Sequence, residues 1–215
     1  MKKESRKYFV AAGCFLLAFV LWTIAICLID VRAIGPRNTA VGLATINSAV
    51  HRFFGVHMAL YTITDWLGLV PVAFMVGFAV LGLVQWIRRK KIRKVDYSIL
   101  ALGGFYIVTF ALYVLFEYVV INRRPVLIDG YLEASYPSST TMLALCVIPT
   151  AMIQFRQRIA NKLLRRMILA LLAAFTIFMV IGRLLSGVHW LSDIVGGILL
   201  SAGLVLSYIA VCKLR

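Results

Sequence analysis

The sequence predicts an all-α fold, an integral membrane bundle of about six transmembrane helices. Of its 215 residues, 62% are hydrophobic and 14% are charged, whereas a soluble domain carries about 25% charged residues. The hydrophobic residues form runs as long as the roughly 20 residues that cross a bilayer, and basic residues collect between these runs. We find no internal repeat and no low-complexity linker in the sequence, and therefore predict one membrane-embedded domain over residues 1–215.

The net charge and the cysteine spacing indicate which partners and cofactors to expect. A net charge of +15 would favour nucleic acid in a soluble protein, but in a membrane protein basic residues hold loops on the cytoplasmic side. We therefore expect the lipid bilayer, and no nucleic acid, as a partner. The cysteines have no metal-ligand spacing, so they predict neither a metal site nor a disulfide framework, and we expect no cofactor. They are Cys14, Cys27, Cys146 and Cys212.

The first helix is predicted at residues 8–29, directly after a basic N-terminal tip. The run is longer than the apolar core of a signal peptide, which favours an uncleaved helix. Residues 30–58 are mixed in character, with a turn at Gly35-Pro36. Within them, residues 41–55 are amphipathic and favour a helix along the membrane surface.

Five further apolar runs predict the remaining helices. They cover residues 59–87, 97–121, 138–155, 167–185 and 190–211. Basic segments follow the second and the fourth runs, at residues 88–94 and 156–166. Residues 122–137 form a polar loop between the third and fourth runs.

The distribution of basic residues predicts the orientation. With the N-terminus inside, the cytoplasmic segments hold 17 Lys and Arg residues and the outer segments hold six, in agreement with the positive-inside rule. Both termini are then cytoplasmic, whereas the 122–137 loop and the turn between the last two helices face outside. We expect a multi-pass protein of a bacterial cell membrane.

The turn between the last two helices contains candidate catalytic residues in the stretch GRLLSGVHWLSD, residues 182–193. His189 and Asp193 share one face at the start of a helix, where a carboxylate can hold one ring nitrogen and leave the other as a nucleophile. Arg183 lies in an apolar stretch, where an ionisable residue indicates a functional site. The alternative is an arginine that only reaches the lipid headgroups. A turn at Gly187 would bring Arg183 towards His189.

Two further stretches with polar residues precede this one along the chain. The three stretches are, in order, Glu117-x6-Arg124-Pro125, Pro137-Ser138-Ser139-Thr140 and Gly182-Arg183-x5-His189-x3-Asp193. Together they resemble the type 2 phosphatidic acid phosphatase family, which carries the motifs K-x6-R-P, P-S-G-H and S-R-x5-H-x3-D. The third motif here is specific, the first two are degraded, and the resemblance covers about residues 97–211.

The resemblance implies a metal-independent phosphatase that forms a phosphohistidine intermediate. It makes His189 the nucleophile and Asp193 the residue that orients the imidazole. The implied substrate is a membrane lipid phosphate or a polyprenyl pyrophosphate, and the oligomeric state is left open. The positions that match phosphate-binding positions of the family are Arg124, Arg183, Ser138, Ser139 and Glu117.

Two departures from the family motifs predict impaired catalysis. Thr140 stands where the family has the histidine that protonates the leaving oxygen. A threonine hydroxyl does not supply a proton near neutral pH, and general acid catalysis contributes about 10²–10⁴-fold. Glu117 stands where the family has a phosphate-binding lysine, and it reverses the charge.

Other polar residues leave alternatives open. Asp65 either pairs with an arginine of the site or caps a neighbouring helix. Glu117 is expected to form an ion pair with Arg123 or Arg124. His51 and His57 lie on the outer side and could replace the missing acid, although a surface role is favoured.

Three functions fit these observations. The intact third motif favours a lipid phosphatase that acts at the outer membrane face. Thr140 favours the alternative, a catalytically inactive phospholipid-binding or carrier protein on the same fold. A transporter or scaffold is disfavoured, since the sequence lacks the paired broken helices that transporters show.

Overall fold

The computed structural model describes residues 3–214. Within this range the chain forms eight α-helices and one two-stranded antiparallel sheet, so the predicted all-α class is confirmed. The elements are α1 (Lys3–Leu28), β1 (Arg32–Ala33), β2 (Ala40–Val41), α2 (Ala44–Phe54), α3 (Met58–Leu67), α4 (Leu69–Arg89), α5 (Tyr97–Tyr118), α6 (Ser139–Arg158), α7 (Lys162–Leu185) and α8 (Leu191–Cys212).

Six helical segments correspond to the six predicted runs. α3 and α4 follow each other through Gly68 and form one span, Met58–Arg89. Within the described part of the chain, five stretches are long and apolar enough to cross a membrane, and this span is one of them. The sixth segment is α6, whose 20 residues extend about 30 Å at 1.5 Å per residue. The prediction of about six transmembrane helices is therefore confirmed.

α6 is less apolar than the other segments because it is buried inside the bundle. Thr150 Oγ1 donates a hydrogen bond to Cys146 O at 2.8 Å, and Gln154 Nε2 donates one to Tyr208 OH at 2.6 Å. Both polar side chains are fully buried. Their partners lie within the protein, as is required at membrane depth.

α8 packs on α1, α6 and α5. An added Cβ at Gly203 would lie 2.7 Å from the Leu16 side chain, so this glycine allows α1 to approach α8 closely. Elsewhere large apolar side chains such as Leu17, Val76 and Leu171 are exposed. Such a surface is unfavourable in water but is matched to the lipid chains of a bilayer.

At one end of the bundle, Asp96 connects α4, α5 and α6. Its carboxylate accepts hydrogen bonds from Arg89 at 2.8 Å, from Gln85 at 2.9 Å and from Arg158 at 3.0 Å. The bond from Arg89 is the main cause that lowers the pKa of Asp96 to about 2, with further contributions from Gln85 and Arg158 and an opposing one from burial. The carboxylate therefore stays ionised and holds three helix ends together.

The opposite end of the bundle carries α2, the 119–138 loop and the turn between α7 and α8. Asn47 of α2 donates a hydrogen bond to Ser192 Oγ at 2.9 Å and accepts one from Ser192 N at 3.1 Å. Gly187 has a φ of +70°, and an added Cβ there would lie 2.0 Å from Gly55 O. Gly187 thus permits the turn that was predicted here and also the close approach of the chain after α2.

Candidate functional site

Asp193 lies in the first turn of α8, where several donors converge on its carboxylate. Its Oδ2 accepts a hydrogen bond from the backbone of Trp190 at 2.9 Å, as a helix-capping group does. Its Oδ1 accepts bonds from Asn122 at 3.2 Å and from Ser192 at 3.5 Å. The side chain is fully buried, so its orientation is fixed by these contacts.

The link between Asp193 and His189 differs from the predicted direct contact. His189 Nδ1 lies 3.8 Å from Asp193 Oδ2, which is beyond hydrogen-bond distance. Ser135 Oγ lies between the two side chains, 3.1 Å from His189 Nδ1, and donates a short hydrogen bond to Asp193 Oδ2. The carboxylate therefore holds the imidazole through a serine hydroxyl that was not predicted as a site residue.

The second ring nitrogen of His189 is available for chemistry. Nε2 is buried and has no hydrogen-bond partner among residues 3–214. Burial lowers the pKa of His189 to about 4, the positive charges of Arg124 and Arg183 act in the same direction, and Asp193 opposes them. The imidazole is therefore neutral near pH 7, as a nitrogen nucleophile must be.

Arg183 extends from the last turn of α7 into the protein. Its side chain is 1% exposed, so the alternative in which it only reaches the lipid headgroups is wrong. Nη2 forms an ion pair with Asp65 at 3.1 Å, and Nη1 donates a hydrogen bond to Thr64 Oγ1 at 3.2 Å. The guanidinium carbon also lies 4.9 Å from the centre of the Tyr61 ring. Of the two alternatives for Asp65, the structure thus shows the one that pairs it with a site arginine.

Arg124 approaches the same tyrosine from the 119–138 loop. Its guanidinium carbon lies 5.8 Å from the centre of the Tyr61 ring, and its Nε lies 3.1 Å from Glu133 Oε2. The carboxylate that pairs with Arg124 is therefore Glu133, and not Glu117 as predicted. Arg123 instead donates a hydrogen bond to Leu132 O at 2.9 Å, a contact within the loop.

A cavity of about 460 Å³ adjoins Arg124 and Arg183, whereas Ser138, His189 and Asp193 are not among its lining residues within 3–214. Both arginines, Tyr61 and three carboxylates line it, and Ser139 and Thr140 contribute from the first turn of α6. The predicted residues Glu117, Ser139 and Thr140 thus share one cavity with Arg124 and Arg183. Within residues 3–214, the lining includes neither His51 nor His57. These two histidines instead contact backbone oxygens, of Gly187 and Phe54 respectively.

Several buried polar atoms around the cavity and His189 lack a hydrogen-bond partner within residues 3–214. Buried polar groups are paired in the great majority of cases, so a cluster of unpaired ones indicates a missing polar ligand. Four of the five atoms belong to side chains that donate only or, in the case of the serine, can donate. They are Arg124 Nε, Arg124 Nη1, Arg183 Nε, Ser138 Oγ and His189 Nε2. Arg124 Nε is among them because its 3.1 Å approach to Glu133 Oε2 is an ion pair without the geometry of a hydrogen bond. This arrangement is suited to an anion with several acceptor oxygens, next to a nitrogen nucleophile.

The same residues carry the sequence motifs, and the family profile of the PAP2 superfamily matches residues 122–214. Residues 122–214, somewhat less than half of the chain, are therefore similar to the PAP2 superfamily. This finding confirms the resemblance to membrane type 2 phosphatidic acid phosphatases over these residues. The matched segment contains Arg124, Ser138, Arg183 and His189, whereas Glu117 lies before it.

One solved structure shares the fold of the whole chain. It is described as the first transmembrane PAP2 type phosphatidylglycerolphosphate phosphatase from Bacillus subtilis. The alignment covers 93% of this chain and 94% of that chain, with 19% sequence identity and a TM-score of 0.56. At this identity the similarity establishes the fold and not the reaction. No curated protein matches the sequence.

Sequence reasoning missed three residues that hold the site together, namely Ser135, Asn122 and Glu133. Ser135 and Asn122 contact Asp193, and Glu133 pairs with Arg124. All three belong to the polar loop between α5 and α6, where no periodicity fixes which side chains point inward. The many polar residues between the first two motifs indicate that this loop belongs to the site. They do not indicate which of its side chains contact Asp193 or Arg124.

Proposed function

We propose that the protein is a metal-independent phosphatase of membrane lipids, which removes phosphate from a lipid phosphate or a polyprenyl pyrophosphate at the outer membrane face. The observation that carries this proposal is the set of unpaired buried polar atoms on Arg124, Arg183, Ser138 and His189. Arginine guanidinium groups fit phosphate oxygens, and the unpaired histidine nitrogen provides the nucleophile. The site thus combines an anion-binding group and an attacking group.

In the proposed mechanism, His189 Nε2 attacks phosphorus and the bond to the lipid oxygen breaks. Arg124, Arg183 and Ser138 stabilise the negative charge on the other phosphate oxygens in the transition state. Water then attacks the phosphohistidine, and inorganic phosphate leaves with the imidazole restored. Ser139 contributes to phosphate binding at the start of α6, where the helix N-terminus favours an anion.

Thr140 marks the step that is expected to be slow. It lines the cavity at the position where the family has its general acid, and a threonine hydroxyl does not protonate a leaving alkoxide near neutral pH. Glu117 also lines the cavity and adds negative charge where the family has a lysine. We therefore propose a phosphatase that is impaired in leaving-group protonation but keeps the nucleophile and the two arginines of the anion site.

The alternative is a catalytically inactive phospholipid-binding or carrier protein on the same fold. Thr140 is the observation that favours it, because binding requires the arginines but not an acid. The name of the related solved structure refers to phosphatidylglycerolphosphate, and this lipid therefore belongs among the candidate ligands of either function.

Phosphate release from a panel of lipid phosphates in detergent separates the two functions. We expect release from at least one phosphomonoester or pyrophosphate lipid, and its loss in His189→Ala. His57→Ala is the matched control, since the His57 side chain is exposed and contacts the backbone oxygen of Phe54, and it should retain the activity. Binding of a lipid phosphate without release from any member of the panel would favour the carrier.

A further inference from the structure

Ser135 occupies the gap between the proposed nucleophile and its carboxylate. We propose that Ser135 is a positioning residue, which transmits the hydrogen bond of Asp193 to His189 and so fixes the imidazole tautomer in which Nε2 is the nucleophile. The catalytic part of this inference rests on the proposed function. The tautomer itself depends only on the three side chains and can be measured separately.

The direction of each hydrogen bond follows from the groups involved. An ionised carboxylate only accepts, and a serine hydroxyl has one proton to donate. Because the Ser135 hydroxyl donates its proton to Asp193 Oδ2, its oxygen must accept the bond from His189 Nδ1 at 3.1 Å. Nδ1 therefore carries the imidazole proton, and Nε2 presents its lone pair.

Asp193 cannot take over this role without moving. Its Oδ2 already accepts the bonds from Ser135 and from the Trp190 backbone, and its distance to His189 Nδ1 is 3.8 Å. An N–H···O hydrogen bond requires about 2.7–3.2 Å. The other oxygen is held by Asn122 and Ser192. The Ser135 hydroxyl thus links Asp193 to the His189 imidazole, because these two side chains form no direct hydrogen bond with each other.

The loop around Ser135 is fixed on both sides. Ser135 N donates a hydrogen bond to Asn122 O at 2.9 Å, and Ser138 N donates one to Asp193 O at 3.1 Å. The neighbouring Tyr136 is buried, with its hydroxyl 2.7 Å from Thr23 Oγ1. Ser135 itself is 3% exposed. These contacts hold the hydroxyl in one place, as orienting an imidazole requires.

The position of the proton also matters during the reaction. When the Nε2 lone pair forms the bond to phosphorus and the lipid oxygen leaves with its electron pair, to be protonated by solvent, Nδ1 keeps its proton. The phosphorylated ring then carries a positive charge. Through Ser135, the negative charge of Asp193 stabilises that ring by a chain of two hydrogen bonds.

The first test measures the tautomer in the purified full-length chain. The sequence contains three histidines, so ¹⁵N-histidine labelling gives few imidazole signals, and His189→Asn identifies the signal of His189. We expect a proton on Nδ1 of His189 in the unmodified chain. In Ser135→Ala we expect this preference to be lost. A proton on Nε2 in the unmodified chain would overturn the inference, whether or not the variant folds.

The second test measures kinetics with a lipid phosphate that the unmodified chain hydrolyses. Ser135→Ala should lower kcat about 10- to 100-fold, the range found for removal of partners that orient metal-bound histidines, with little change in KM because the arginines are intact. Ser135→Thr, which keeps the hydroxyl, should recover most of kcat. Ser201→Ala is the matched control, since Ser201 lies on another part of α8 and is also buried, but donates its hydrogen bond to Met142 O, at 3.3 Å.

The outcomes separate this inference from the proposed function. An unmodified chain with the Nδ1 proton but without phosphatase activity would refute the proposed function and leave the positioning role intact. A Ser135→Ala variant with unchanged tautomer and unchanged kcat would refute the positioning role and leave the phosphatase intact.

Discussion

Arg183 is a charged side chain at 1% exposure in the apolar part of α7 that follows Arg166. Desolvation of a guanidinium is unfavourable unless its donors are paired. Asp65, Thr64 and Tyr61 satisfy part of this requirement, whereas Nε has no hydrogen-bond partner among residues 3–214. A residue that serves only packing would be expected to have all its donors satisfied. The incomplete pairing therefore indicates that a ligand provides the missing acceptor.

Arg183→Ala should weaken the binding of vanadate or a lipid phosphate roughly tenfold or more. A charge-assisted hydrogen bond contributes about 1.5–3 kcal/mol, and about 1.4 kcal/mol corresponds to a tenfold change in affinity. The measurement is a binding isotherm in detergent. Arg37→Ala is the control, because Arg37 is an exposed arginine that bonds Gly130 O in the 119–138 loop. Equal affinity in the two variants would exclude Arg183 from the anion site.

Thr140→His should raise turnover by about two to four orders of magnitude, the contribution of a general acid. The gain should be larger for phosphomonoesters than for pyrophosphates, because an alkoxide leaving group has a higher pKa than a phosphate. Initial rates on paired substrates measure the difference. In a His189→Ala background the same substitution should give no gain. A fast unmodified chain, with no increase in Thr140→His, would mean that another group protonates the leaving oxygen.

The third motif could be interpreted from the sequence because its members belong to two adjacent helix ends. Arg183, His189 and Asp193 lie within eleven residues, and helical geometry with the Gly187 turn determines their proximity. Ser135 is different, since its contact with His189 joins positions 54 residues apart. Such a contact depends on how a loop folds, and hydrophobic periodicity contains no information about it.

The ends of a helical span could be predicted from the sequence, whereas a division within the span could not. The predicted run 59–87 corresponds to the span Met58–Arg89, because hydropathy determines where the chain enters and leaves the lipid. Its division at Gly68 was not predicted. The residue has ordinary helical angles, so nothing in its local conformation distinguished it from a continuous helix.

The Asp96 cluster shows how three helix ends depend on one carboxylate. Asp96→Asn should lower the thermal stability in detergent at pH 7, by on the order of 1 kcal/mol after allowance for its partial exposure. The pKa of Asp96 is lowered from 3.8 to about 2. Its contribution is therefore fully present above about pH 3.8 and is lost as the pH falls towards 2.

The pH dependence provides the check on the Asp96 prediction. Melting temperatures of the unmodified chain and Asp96→Asn should differ at pH 7 and converge as the pH is lowered towards 2. Asp129→Asn is a suitable control, because Asp129 is exposed at the tip of the 119–138 loop. A difference that stayed constant from pH 7 to pH 2 would show that the ionised carboxylate is not its cause.

For the whole molecule, the basic residues at one end of the bundle predict the orientation in the membrane. Arg88, Arg89 and Arg158 lie at the Asp96 end of the bundle, and the candidate site lies at the other end. Since basic residues favour the cytoplasm, we expect the site to face outside. A cysteine at Tyr131, whose side chain is 74% exposed in the 119–138 loop, should react with an impermeant thiol reagent in intact cells.

The labelling experiment needs a control cysteine at the opposite end of the bundle and a measurement of background labelling. Arg93→Cys places a thiol in the exposed turn beside Asp96 and should react only after lysis. The unmodified chain, with four native cysteines, gives the background. The reverse pattern, with Arg93→Cys labelled in intact cells and Tyr131→Cys only after lysis, would invert the proposed topology.

Both arginines of the cavity already have an anionic neighbour in the protein, Glu133 for Arg124 and Asp65 for Arg183. Under the proposed function, an arriving phosphate therefore shares these cations with the carboxylates and does not simply neutralise them. The gain in electrostatic free energy on binding is smaller than for two unpaired arginines. For the same reason inorganic phosphate, the proposed product, leaves behind cations that still have their carboxylate partners. The internal ion pairs thus lower the affinity for substrate and product together, and favour rapid emptying of the site over tight retention.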